Sequence, residues 1–488
     1  MRWVNFLHIY QPANQAADIV TRVANESYRP LLKTLKENPN TKITLNINAA
    51  LSEQFVSLGF QDLINDIIFV ATRGQIEFTG SAKYHALLPF LSEDEIIRQI
   101  TLNFQTNQKI FGDVYNPKGF FPPEMAYAPL IAPIVEKLGY TWILIDEVGF
   151  NGRVAGVDTN VVYTIENTKL SVFFRERTYS NLIMSALVRR EEDFKDMEDF
   201  KSKNYLVTGM DGETFGHHRP GLQKLLTGLL TTPDFEHVFI EDLMRDIPAR
   251  KVIQPVISTW ASTEKDIEEG NQFLTWDDPN NTIHRMQWEL QQLAIETVKN
   301  ENIEDSMARH LLDEALASDH FFWASARPWW SLEVIESGAW LLLDTIKKTQ
   351  NVERTINAKA LELYYAIIAS AFSWQRTGHI KEIYKEYREI PRIPFKDKTA
   401  GEPWVYAAFI ELMKIKIKEA VVKENFEEAI LWRDAIWKLE TKNDLYDSLH
   451  AVDLLRQKIT NGDVLDMIDK YKLEYQRLAS GQPEQRGI

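Results

Sequence analysis

The sequence contains no cysteine, which excludes both a disulfide framework and a thiolate metal site. It has no run of about 18 apolar residues, so no stretch reads as a membrane-crossing segment. Basic residues are in deficit: 55 Lys and Arg against 70 Asp and Glu give a formal net charge of −15. Binding nucleic acid needs a basic footprint, so that class of partner is set aside, whereas a neutral polysaccharide is indifferent to the charge. The stretch Met1 to His8 is too short and too mixed for a secretory signal, and the cytoplasm is the expected compartment. Internal repeats and low-complexity tracts are missing as well.

What is plentiful is aromatic: 13 Trp, 17 Tyr and 25 Phe make up 11% of the chain. Sugar rings present flat C–H faces that dock onto aromatic faces, although most of these rings belong in a core. At 488 residues, 44% of them hydrophobic, the chain reads as a globular protein of several domains.

The first half alternates short β-rich runs with helical patterns. Strands are expected over residues 3–8, 42–48, 74–79, 119–121, 141–145, 171–175, 205–210 and 253–258, with helices such as 25–37, 92–111 and 130–138 between them. That alternation predicts a parallel sheet. Polar and ionisable residues sit at or just past the ends of the runs: His8, Asn46, Asn48, Glu77, Glu124, Asp146, Arg175, Arg177, Asp211 and Trp260. Such residues gathered at carboxyl-terminal strand ends point to a (β/α) barrel, whose active site is built there. From about Thr282 only helical patterns remain, which places a barrel domain at 1–280 and an all-helical domain at 281–488. Residues 391–401 read as a long connection.

Two segments carry the chemistry. Asp211-Gly212-Glu213-Thr214-Phe215-Gly216-His217-His218-Arg219 leaves the apolar run 205–208 with two carboxylates, two histidines and an arginine. A helix cap needs no such density of ionisable groups. In Phe121-Pro122-Pro123-Glu124 the two prolines cannot pair in a central strand, so they end it and form an elbow that presents Glu124. Cleaving a glycosidic bond takes one protonated carboxyl and one carboxylate on opposite sides of it, with their pKa values pushed apart. Glu124 and Asp211, on different strands, can supply that pair.

These segments resemble those of glycoside hydrolase family 57, and its five sequence regions can be placed in order. The first is similar to His8-Ile9-Tyr10-Gln11-Pro12, and the second to Gly74-Gln75-Ile76-Glu77-Phe78 with Tyr84-His85-Ala86-Leu87-Leu88-Pro89. The third is similar to Phe121-Pro122-Pro123-Glu124, the fourth to Asp211-Gly212-Glu213-Thr214-Phe215-Gly216, and the fifth to Ala317-Ser318-Asp319-His320-Phe321-Phe322-Trp323. The resemblance covers roughly residues 1–330. It implies Glu124 as nucleophile and Asp211 as acid/base of a retaining enzyme acting on α-linked glucans. The implied fold is an incomplete (β/α)7 barrel followed by an all-helical carboxyl-terminal region that contributes to the cleft. With seven strands in the barrel, the run 253–258 is the one expected outside it.

No cofactor or metal is implied. His8, Tyr10, Gln11, Glu77, His85, Glu213, His217, Trp260, Asp319 and Trp323 are the expected substrate-binding residues. Tyr10 stands where the family usually has a second histidine, a neutral donor in place of a titratable ring. Transfer to another sugar uses the same residues as hydrolysis, so a 4-α-glucanotransferase, a branching enzyme or an α-1,6-cleaving enzyme are alternatives. The Asp-Gly-Glu-Thr-Phe-Gly form looks closer to the amylase and glucanotransferase branches. A metal-dependent barrel would want a His/Asp ligand set, and adjacent His217 and His218 lack ligand spacing. A glucan-binding protein without activity would be expected to lack a catalytic carboxylate, and both are present.

Overall fold

The computed structural model describes residues 1–184, 203–301, 303, 306–327, 329–388, 403–441, 451, 452, 454, 455, 458, 459 and 461–479. The expected connection at 391–401 lies outside the described residues. Among the described residues ten strands form one sheet: β1 Arg2–Ile9, β2 Ile43–Ile47, β3 Ile76–Gly80, β4 Gly119–Phe120, β5 Trp142–Asp146, β6 Val162–Ile165, β7 Ser171–Arg175, β8 Tyr205–Asp211, β9 Glu236–His237 and β10 Arg250–Ile253. Their order is β10-β6-β7-β5-β4-β3-β2-β1-β8, with β9 on β1.

Seven of these, from β8 through β1 to β5 and β7, run parallel as a curled, incomplete barrel. Strands buried on both faces read as continuous apolar runs, and Trp142 to Asp146 of β5 are all buried. The sheet's path does not close between β7 and β8. Hydrogen bonds among the described residues cross that gap instead, including Glu176 N to Val207 O at 2.8 Å, Gly209 N to Ser180 Oγ at 3.1 Å, and Arg175 Nε to Gly209 O at 2.7 Å.

The run 253–258 is outside the seven, as expected. Only Ile253 of it is in a strand, at the end of β10, which pairs with β6. Val256 and Ser258 instead hydrogen-bond to Gly149 and Tyr127, tying this segment across the barrel's rim. Strand β6 was not expected; it is antiparallel to β7, and Asn167, at φ 60°, takes the left-handed conformation in the turn between them.

Compactness divides the chain differently from the sheet-to-helix change near residue 280. One unit comprises Met1–Asn181, Lys195–Glu213 and Leu230–Tyr387; the other comprises Leu182–Phe194, Thr214–Leu229 and Arg388–Ile488. In the first, residues of the sheet such as Phe120 and Ile143 share a hydrophobic core with Ile283, Leu312, Leu342 and Ile367 of the following helices. The second has its own core, around Phe409, Met413, Trp432 and Leu455. No helix among the described residues is long and apolar enough to cross a membrane.

Candidate active site

Strand β4 stops after two residues because Pro122 and Pro123 have no N–H to continue the ladder. The chain turns through Pro123–Met125, where Glu124 (φ 61°) and Met125 (φ 48°) both occupy the left-handed region. Two successive non-glycine residues there cost roughly 1–3 kcal/mol each. The turn persists because Met125 N bonds to Pro122 O at 2.8 Å and Trp260 N bonds to Glu124 O at 3.2 Å. The Glu124 side chain is aimed by a second contact from the same residue: Trp260 Nε1 donates to Oε2 at 2.7 Å. Its other oxygen, Oε1, has His85 Nδ1 at 3.7 Å.

Asp211 is the last residue of β8 and lies in register with His8 of β1, which in turn faces Asn46 of β2. Asn46 spends its amide N–H on Thr79 Oγ1 at 3.0 Å, so its oxygen accepts from His8 Nδ1 at 2.7 Å. That fixes the tautomer. His8 Nε2 is then the acceptor for His85 Nε2 at 3.2 Å, and His85 Nδ1 is left as an acceptor for Ser318 Oγ at 3.2 Å. Burial lowers the pKa of both rings, His8 to about 4 and His85 well below the usual histidine range. His85 is therefore neutral beside Glu124, and their 3.7 Å approach is not an ion pair.

Tyr10 lies over His85 with ring centroids 4.3 Å apart and planes 13° from parallel. Its hydroxyl donates to Asp319 Oδ2 at 2.7 Å, which brings the fifth motif of the sequence to the first. Glu213 is used internally. Its Oε1 accepts from the Tyr10 backbone N–H at 2.9 Å and from the Tyr28 hydroxyl, bracing the loop after β8 against the loop after β1.

Burial raises all four carboxyls of this cluster: Glu124 and Glu213 to about 8, Asp211 and Asp319 to about 6. The charge of Asp211 adds to the rise at Glu124 and Glu213, the Trp260 N–H opposes it at Glu124, and the Arg175 guanidinium opposes it at Asp211. Glu124 and Asp211 titrate as a pair, since either one ionised holds the proton on the other. One carboxyl and one carboxylate is the combination that chemistry at an acetal requires, but between about 6 and 8 the free site holds its proton on Glu124 and its charge on Asp211, so attack by Glu124 needs that proton to pass to Asp211 first.

Of the residues expected to bind substrate, His8, Tyr10, His85, Glu213, Trp260 and Asp319 are gathered with Glu124 and Asp211. Gln11 is buried and interacts with Tyr28. Trp323 packs its ring against Phe322 and Trp329. His217 falls in the second compact unit, against His218.

Glu77 is elsewhere. It is the second residue of β3, near the amino end, and its carboxylate accepts from Ile240 N and Glu241 N at 3.1 Å each and from Thr44 Oγ1 at 3.0 Å. It caps the helix Ile240–Asp246, which accounts for it without a substrate. Glu77→Ala is expected to lower unfolding free energy by about 1–2 kcal/mol, the usual loss for a cap, with turnover changed less than about twofold. Urea titration and initial rates on the same preparation check this.

Tyr28 and Ser318 complete the cluster; Tyr28 gives no signal in the sequence, and Ser318 lies within the fifth motif without being singled out as a site residue. Tyr28 ends a π-helical turn, Ala24–Tyr28, within an otherwise ordinary helical pattern. Among the described residues, no group of three or more His, Asp and Glu is disposed to hold a metal ion.

Comparison with known proteins agrees with this arrangement of strands. Residues 2–263 match the model of Glycosyl hydrolase family 57. An alpha-amylase of Pyrococcus horikoshii is 25% identical over 232 residues, 46% of this chain and 36% of that protein. The chain spans about a third or less of the length of the curated relatives it matches. A 4-alpha-glucanotransferase structure from Thermococcus litoralis is similar with a TM-score of 0.56 at 18% identity, covering 72% of this chain and 60% of that one. A GH57-type branching enzyme from Pyrococcus horikoshii gives 0.55 at 15% identity, covering 76% and 96%. At these identities the structures share the fold.

Proposed function

Because the chain belongs to glycosyl hydrolase family 57, we propose that it is a retaining enzyme cleaving α-1,4 bonds of α-linked glucans by double displacement. The observation that carries the reading is the pairing of Glu124, held on a strained elbow by Trp260, with Asp211 at the end of β8.

Trp260 Nε1 occupies Oε2 of Glu124, so Oε1 attacks the anomeric carbon while Asp211 protonates the departing oxygen. In the resulting ester, Oε2 is the carbonyl oxygen and still accepts from Trp260. The same N–H then stabilises the carboxylate when the ester is broken. Asp211, now ionised, takes the proton of the incoming water or sugar hydroxyl. Tyr10 holds Asp319 by its hydroxyl, leaving a carboxylate edge to accept from hydroxyls of the sugar.

Incubation with amylose and chromatography of the products tests the reading. Glucose and short oligomers support hydrolysis, longer or rearranged chains mean the glycosyl-enzyme is taken by another sugar, and unchanged amylose overturns both. Two inversions leave net retention, so the first product released is the α-anomer; a β-anomer would refute double displacement.

The acid–base state sets a pH profile. Below about 6 the pair gains its second proton and loses the nucleophile; above about 8 it loses both protons and with them the acid. A plot of kcat/KM against pH is expected to be bell-shaped with limbs near those values, and activity still rising at pH 9.5 would contradict it.

A further inference from the structure

We infer that Asp146 is a positioning residue for the reacting pair: through Arg175 and Arg177 it holds the Trp260 turn against Glu124 and steadies β8 behind Asp211. The inference rests on the reading of Glu124 and Asp211 as the reacting carboxyls.

Asp146 ends β5 and is completely buried. Its Oδ2 accepts from Arg175 Nη1 at 2.9 Å, and its Oδ1 is 2.6 Å from Arg177 Nη2. Oδ1 also accepts from Val148 N at 3.1 Å. A carboxylate that cannot reach water is thus committed to two guanidinium groups, and neither is spent on Asp146 alone.

Arg177 passes the constraint to the nucleophile. Its Nη1 donates to Ser262 O at 2.6 Å and its Nη2 to Trp260 O at 3.0 Å, clamping the turn Thr259 to Ser262 by its carbonyls. Residue 260 of that turn is the one that bonds Glu124 twice, by its backbone N–H to the carbonyl and by its indole N–H to the carboxylate. Loosening the turn therefore frees both the strained elbow and the carboxylate's orientation.

Arg175 passes it to the acid/base. Its Nε donates to Gly209 O, two residues before Asp211, across the gap that the sheet leaves between β7 and β8. Gly209 makes room for it, since a Cβ there would sit 3.2 Å from Arg175 Cδ. The guanidinium also lies 5.9 Å from the centre of the Trp260 ring and is the cation that faces Asp211. A buried ion pair is weak evidence for stability but a good device for fixing geometry, because breaking it strands a charge. Here the fixed geometry is that of the two groups that must act together, Asp211 on β8 at the open seam and Glu124 after β4, two strands in from β7.

The test is a cycle of Arg177→Lys and Trp260→Phe with Asp146→Asn alongside. Lysine keeps the charge of Arg177 but not its two-pronged donation to carbonyls. Arg177→Lys is expected to lower kcat on malto-oligosaccharides about tenfold with KM changed less than threefold. In the Trp260→Phe background the indole donor is already gone and only the backbone N–H of residue 260 still holds the elbow, so the same change should cost less than in the wild type, about threefold. A tenfold loss in both backgrounds overturns the inference. Independently of activity, hydrogen–deuterium exchange in the segment 259–263 is expected to speed up at least tenfold in Arg177→Lys and in Asp146→Asn. Unchanged protection there overturns the inference even if the wild-type chain proves inactive. Inactivity of the wild type on amylose with faster exchange in the variants overturns only the functional reading. If Asp146→Asn does not fold, Arg177→Lys carries the exchange test alone.

Discussion

Glu124→Gln is expected to lower turnover of malto-oligosaccharides by roughly 10⁴-fold or more, the scale on which removing a covalent nucleophile acts. The amide is close to the carboxyl in shape, and its oxygen can still accept from Trp260 Nε1, so substrate binding should survive. The same variant should also be more stable than the wild type, by an amount that depends on pH. Glu124 has a folded pKa of about 8 against an ordinary value of 4.5. Its neutral form favours the folded state fully below about 4.5, and that advantage is lost as pH rises towards 8. Glutamine has no such loss. The stability gap should therefore widen by up to about 1.4 kcal/mol per pH unit between pH 5 and 8 and then level off. Urea unfolding of both proteins at pH 5 and pH 8 measures it. A gap that is the same at the two pH values would mean that Glu124 does not carry a raised pKa, and near-normal turnover would mean that it is not the nucleophile.

Asp211→Asn has a different signature. Losing a general acid/base costs about 10²–10⁴-fold, and the loss depends on what is leaving. With amylose or maltotriose the departing alkoxide needs its proton, and the full effect should appear. With an aryl glycoside bearing a nitro group protonation hardly matters, so formation of the glycosyl-enzyme should be nearly normal and its breakdown slow. Azide, an anion that needs no base, should then accelerate turnover and emerge as the α-glycosyl azide. A variant equally impaired on both substrates and indifferent to azide would show that Asp211 only shapes the site. The expected alkaline limb of the pH profile should vanish in this variant.

The two chemical strand ends were legible because their signals are local. Pro122-Pro123-Glu124 and Asp211-Gly212-Glu213 each pack a strand stop and a carboxylate into a few residues. Seven barrel strands were legible because burial on both faces leaves continuous apolar runs. The partners of the carboxylates were harder. Tyr10 and Asp319 are 309 residues apart, and no periodicity links them; only the resemblance of two motifs to family regions named both. Tyr28 looks like any aromatic on an amphipathic helix until the chain brings Glu213 to it. Glu77 misled for the opposite reason. Strand bounds of 74–79 put it near the carboxyl end, whereas β3 runs from Ile76 to Gly80 and places it at the other. The tie from Asp146 to Trp260 was legible only as a set of strand ends, because what it means depends on which carbonyls two arginines reach.

The discontinuity of the second compact unit sets an order for synthesis. Thr214–Leu229 belongs to it, yet the long stretch Arg388–Ile488 that makes up most of it is translated last. At about 5–20 residues per second, the earlier piece waits on the order of ten seconds before its partners leave the ribosome. It holds most of the helix Leu222–Thr231, whose Leu222, Leu225, Leu226 and Leu229 are buried in the finished chain. A product ending before residue 388 would carry only the two early pieces of that unit, so the carboxyl-terminal helices are not an appendage to a unit already complete.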